Sequence, residues 1–99
     1  MPSTPPTIPG ADAVFTRSKK LSYSRLAGEV LIIDPVKRYT HRLTETAAFL
    51  WERCDGRLTA RQLSQTLADA FDVAPAEAER DTLETLAKWE ALGLAVRCT

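Results

Sequence analysis

Tyr39 to Asp72 reads YTHRLTETAAFLWERCDGRLTARQLSQTLADAFD, and the order of its parts decides the fold. A short alternating segment enters a Trp-bearing helix, meets Asp55-Gly56, and restarts as a second helix with its own start signal. The first helix is expected to open at Thr44, whose hydroxyl can accept a hydrogen bond from a free first-turn amide, and to run to Cys54. Ala47, Leu50, Trp51 and Cys54 recur at helical spacing, which predicts one buried face. Asp55-Gly56 stops the helix, because glycine accepts the left-handed backbone of helix ends and tight turns. Thr59 and Gln62 then form a capping box, with Leu58 and Leu63 placed to staple the entry. Leu63, Leu67, Ala70 and Phe71 supply an apolar face for this second helix. A third opens near Pro75, which suits a first helical position, and ends before Gly93 with Leu83, Leu86 and Ala87 as its core stripe.

Upstream of Tyr39 the signals are those of strands. Leu21 to Leu26 alternates weakly, Gly28 interrupts, and Val30 to Ile33 is a continuous aliphatic run. Asp34-Pro35 turns the chain into a third strand, Arg38 to Leu43, with Arg38, Thr40 and Arg42 on one face and Tyr39, His41 and Leu43 on the other. The alternation of Leu94, Val96 and Cys98 predicts a short wing strand returning beside the helices. The expected architecture is α+β and winged helix-turn-helix-like: a three-stranded antiparallel sheet followed by three helices.

This layout resembles the PqqD-like peptide chaperones, also called RiPP recognition elements, over nearly all of Leu21 to Val96. The residues that carry the likeness are Gly28-Glu29-Val30-Leu31, Tyr39 before Leu43-Thr44, the Ala47-Ala48-Phe49-Leu50-Trp51 block, Cys54-Asp55-Gly56, Thr59 to Asp72, and Asp81, Leu83, Leu86 and Gly93-Leu94. Thr44 stands where the family often has asparagine, and Lys37 where it often has a turn glycine. The resemblance implies a domain without catalytic residues or cofactor. Such a domain binds the leader segment of a ribosomally made precursor peptide and delivers it to a modifying enzyme, often a radical SAM protein.

Whole-chain quantities are compatible with that role. Ninety-nine residues, 44% of them hydrophobic, allow one domain with a modest core. Thirteen basic and thirteen acidic side chains cancel, so there is no general attraction to nucleic acid or to an anionic membrane. Their distribution is uneven. Nine basic against six acidic residues fall up to Leu58, and four against seven from Thr59 onward. Residues 1–13 hold Pro2, Pro5, Pro6 and Pro9 and read as a flexible tail, leaving 14–99 as the folded domain. No basic residue precedes Arg17, no secretory signal is evident, and no apolar run approaches the roughly 20 residues that span a bilayer. With two distant cysteines, Cys54 and Cys98, and no C-x-x-C pair, a reducing cytoplasmic setting is expected.

The third strand is the candidate binding element. At a sheet edge its free amides and carbonyls can pair with an extended peptide, and side-chain pockets then supply selectivity. On the strand the candidate contacts are Lys37, Arg38, Tyr39, Thr40, His41 and Arg42, with the cations meeting acidic leader residues. On the third helix, Ala78, Thr82, Thr85 and Trp89 form a row at helical spacing that serves as the far wall of a groove, joined by Leu86. The plainer alternatives are charges that merely blunt an edge strand, and a Trp89 that only covers the core.

Other chemistries find little support. His41 is the sole histidine and Cys54 lies on an apolar stripe, where a thiol behaves as a small hydrophobe, so no Cys-His nucleophile is expected. One histidine and two distant cysteines fall short of a structural zinc site, and Gly10, Gly28, Gly56 and Gly93 are too scattered for a phosphate loop. A winged-helix DNA binder shares the order of elements. However, its recognition helix, Pro75 to Leu92, would carry Glu77, Glu79, Asp81, Glu84 and Glu90 against Arg80 and Lys88, opposite in sign to what phosphates demand. A structural subunit docked on a larger enzyme is the remaining alternative.

Overall fold

A computed structural model describes residues 10–98; the prolines expected to form a flexible tail lie outside these, in residues 1–9. The chain runs β1 (Val14–Arg17), β2 (Ser22–Leu26), β3 (Glu29–Asp34), β4 (Tyr39–Thr44), α1 (Glu45–Glu52), β5 (Asp55–Thr59), α2 (Ala60–Phe71), α3 (Pro75–Leu92) and β6 (Ala95–Cys98). The expected meander is present as an antiparallel sheet in the order β2-β3-β4, and it precedes the three helices. A second antiparallel sheet, β5-β1-β6, was not anticipated beyond its last strand.

That second sheet forms because Val14 to Arg17 alternates around Phe15, which is buried, and because β5 and β6 return to flank it. Register pairs Val14 with Cys98 and Arg17 with Ala95 on one side, and Thr16 with Asp55 on the other. Asp55-Gly56 is therefore both a break and the start of a strand. Gly56 takes φ +82°, where a side chain is disfavoured, and Thr16 lies close against it.

The helix ends illustrate which local signals are robust. α2 carries the full capping box: the Gln62 amide donates to Thr59 Oγ1 at 3.2 Å and the Thr59 amide to Gln62 Oε1 at 2.9 Å. Its next free amides are also covered, because Ala60 donates to the Ala13 carbonyl and Arg61 to the Ala11 carbonyl. Residues 10–13, expected in the tail, thus belong to the fold. Thr44 precedes α1 as expected, but its hydroxyl makes no capping bond. Glu45 turns left-handed at φ +42°, so the chain enters the helix through a corner. α1 also stops at Glu52, and Arg53 and Cys54 continue in a tighter turn with amides on Leu50 and Trp51.

The core lies between the helices and the inner faces of both sheets. Val30 and Ile32 of β3, Leu50 and Trp51 of α1, Leu63 and Leu67 of α2 and Leu86 of α3 are all buried in it. Trp51 donates its indole N–H to the Leu94 carbonyl at 3.1 Å, tying α1 to the approach of β6. Ala70 and Phe71, expected on the buried face of α2, are exposed, and Phe71 instead meets Phe49 edge-on at 5.2 Å. Thr82 is fully buried, and its hydroxyl has no hydrogen-bond partner among the described residues. Replacing it with the near-isosteric valine removes an unmet polar group, so Thr82→Val is expected to stabilise the fold by about 1 kcal/mol in urea unfolding.

Candidate functional site

β4 is an outer strand. It pairs with β3 from Glu29↔Thr44 to Asp34↔Tyr39, and among the described residues no strand pairs with its other side. Asp34 sets the turn that leads into it: its carboxylate accepts the amides of Val36 and Lys37, both at 3.0 Å. Arg38 then takes φ +57°, which reverses the chain.

The period of two divides the site residues. Tyr39 and His41 share the inner face with Asp34 and Ile32, their partners across the ladder. Their rings stack with centroids 5.6 Å apart and planes inclined by 24°. With Lys37 and Leu92 they line a cavity of about 290 Å³ where the strand approaches the C-terminal end of α3. Lys37 Nζ comes within 3.8 Å of where a Gly93 Cβ would stand, so its ammonium sits beside the negative end of that helix. Tyr39 is 64% exposed and Leu92 38%, leaving an apolar surface open beside the strand edge.

Thr40 and Arg42 face the other way. Arg42 is engaged with Glu29 through two hydrogen bonds of 2.8 and 2.6 Å, which hold the Glu29 carboxyl below its ordinary range and the Arg42 guanidinium above it. Arg42, expected to meet acidic leader residues, thus already has a carboxylate partner within the chain. Arg38 stays at the exposed turn.

The α3 row is rotated from its expected position. Ala78 and Thr82 are 0% exposed and Trp89 3%, so these three pack into the core instead of walling a groove; Leu86 is buried as its place in the core stripe predicts, and only Thr85 remains half-buried. Leu92 was missed, although it lies seven residues beyond Thr85, two turns along the same side. By the same period Asp81, Thr85, Lys88 and Leu92 share one side of α3, of which Leu92 lines the cavity.

Nucleophilic chemistry is poorly served. The Cys54 thiol is buried and donates to the Leu50 carbonyl, while His41 is stacked on Tyr39 in β4. Burial pushes that thiol from 9.0 up to about 12, with Arg17 opposing and Asp55 adding to the shift. A folded-state value above the unfolded one means the protonated thiol contributes stability below about pH 9, and this is lost as pH rises toward 12. Iodoacetamide at pH 8 is accordingly expected to label Cys98 in the native protein and Cys54 only after unfolding, as read by peptide mass. Among the described residues no cluster of His, Cys, Asp or Glu is arranged to hold a metal, and no helix is long and apolar enough to cross a membrane.

Solved structures share this arrangement. One, described as TbiB1 in complex with the TbiA(beta) leader peptide, superposes with a TM-score of 0.74 at 14% identity, covering 81% of this chain and 93% of the other. Another, described as lasso peptide synthetase B1 complexed with the leader peptide, gives a TM-score of 0.74 at 21% identity, covering 83% and 96%. At these identities the likeness is one of fold. None of the curated proteins matches the chain by sequence. The family model for coenzyme PQQ synthesis protein D matches residues 29–95, from the first residue of β3 through α3 to the first of β6. With two thirds of its length matched and its sheet-then-helices order intact, the chain belongs to the PqqD family.

Proposed function

We propose that this protein is a non-catalytic carrier that captures the leader of a ribosomally made precursor peptide along β4 and presents it to a peptide-modifying enzyme. The observation that carries the reading is the outer position of β4 beside an open apolar cavity. An extended peptide completes the ladder by pairing with the free backbone groups, which demands little of its sequence. Tyr39, His41 and Leu92 then select an anchor side chain, Lys37 attracts nearby acidic residues, and Thr85 flanks the path on α3. Thr40, Arg38 and Arg42 contribute backbone, with Arg42 already neutralised by Glu29. Two solved relatives of the fold are described as leader-peptide complexes, which favours the same use here. The exposed acidic face of α3 opposes the DNA-binding alternative. We place the protein in the cytoplasm, where Cys54 and Cys98 stay free thiols.

The test is a titration of the isotope-labelled chain with the synthetic leader of a precursor peptide encoded beside it. Saturable binding of about micromolar strength is expected, with amide shifts concentrated on Tyr39–Thr44. Shifts centred on α2, or none along β4, would count against capture at this strand.

A further inference from the structure

The β2-β3-β4 sheet has a second outer strand. All five residues of β2 are exposed, and among the described residues β2 pairs with β3 alone. Its side chains divide as the register dictates: Tyr23 and Arg25 face inward with Ile32 and Val30, while Ser22, Ser24 and Leu26 face outward with Ile33, Leu31 and Glu29. Small serines on the outer side leave room for another strand, and Leu31 and Ile33 offer it an apolar surface, Ile33 being 47% exposed.

What distinguishes this edge is the charge behind it. A cavity of about 270 Å³ opens between the two sheets, lined by Arg17, Ser18, Lys19, Tyr23 and Trp51 among others. The Arg17 guanidinium lies 5.7 Å from the Trp51 ring centroid and 6.0 Å from that of Tyr23, and donates one N–H to the Glu52 carbonyl at the end of α1. Among the described residues no carboxylate lies within ion-pair distance of it. The Glu52 side chain is taken by Arg25 at 3.5 Å. Charges that merely guard an edge stand in solvent, as Lys20 does. Arg17 is half-buried behind the strand, with further N–H donors and uncompensated charge facing a cavity.

We propose that β2 is a second strand-addition site, which takes an acidic extended segment of a partner protein and seats one carboxylate against Arg17. A segment alternating acidic and aliphatic residues fits both faces: acids inward toward Arg17 and Arg25, aliphatics outward beside Leu31 and Ile33. Because β3 separates the two outer strands, β2 and β4 are filled independently.

The probe is a blocked octapeptide, (Glu-Val)4, titrated into the full isotope-labelled chain, with (Lys-Val)4 and an alternately N-methylated (Glu-Val)4 as companions. Expected are saturable shifts on Ser22–Leu26 and Arg17 Nε, a dissociation constant below about 1 mM, and no comparable response to either companion. The Lys19→Glu/Lys20→Glu double variant, whose positions are exposed, should bind at least about tenfold more weakly while keeping its fold. Arg17→Met tests the cavity directly, with the double variant standing in should it unfold. Absence of saturable shifts, shifts confined to Tyr39–Thr44, or equal binding of the lysine or methylated peptide overturns the proposal. Leader capture at β4 is read separately, from the leader titration.

Discussion

Trp51→Ala should lower the unfolding free energy by about 4 kcal/mol in urea, a loss large enough to leave little native protein at 37 °C. The side chain is 1% exposed and joins three elements at once. It packs edge-on against Tyr23 of β2 with centroids 4.8 Å apart, receives the Arg17 cation of β1 on its ring, and donates its N–H to the Leu94 carbonyl. Truncation opens a cavity where the two sheets meet the helices and leaves the Leu94 carbonyl with the Ser18 amide as its remaining donor. Trp51→Phe separates the two effects, since it keeps most of the volume and loses only the hydrogen bond; a cost of about 1 to 2 kcal/mol is expected for it. If alanine were tolerated without measurable loss, this residue would not be holding the sheets together.

Tyr39→Ala and Leu92→Ala together should weaken leader binding by about 2 to 4 kcal/mol, roughly thirty- to a thousandfold, with little change in stability. Both side chains are substantially exposed and lie on either side of the same cavity, so their removal takes away its apolar walls while sparing the core. Trp89→Ala is the informative contrast. That residue was expected to touch the leader, but at 3% exposed its truncation should act on folding first. Calorimetric titration beside thermal unfolding distinguishes the cases; unaltered affinity in a folded Tyr39→Ala/Leu92→Ala variant would remove the cavity from the binding site.

Sequence patterns served well where the cause of structure is local. The capping box at Thr59 and Gln62, the left-handed stop at Gly93 and the two-residue alternation of β4 each depend on neighbours a few positions away, and each is found where the pattern put it. β1 was hidden because four residues beside a proline-rich stretch acquire strand identity only through partners near Asp55 and Ala95, contacts that no local period reports. The face of α3 was misjudged for a different reason. Alanine and threonine at 78, 82 and 85 suit either core or surface, so weak amphipathicity left its rotation to be decided by packing against α2. Arg42 was read as a cation for acidic leader residues, and its pairing with Glu29, thirteen positions earlier, was not foreseen because the two meet only across the β3–β4 ladder.

The central position of β1 bears on where this protein can be cut. The family match begins at Glu29, yet Phe15 and the backbone that both β5 and β6 lean on come from upstream of it. A fragment trimmed to the matched span would leave β5 without its central neighbour, lose all of β6 but Ala95, and uncover the amides at the head of α2 that Ala11 and Ala13 satisfy. The minimal autonomous unit is therefore longer at its amino end than the homologous segment, and fusions or excisions should keep Ala11, Ala13 and β1.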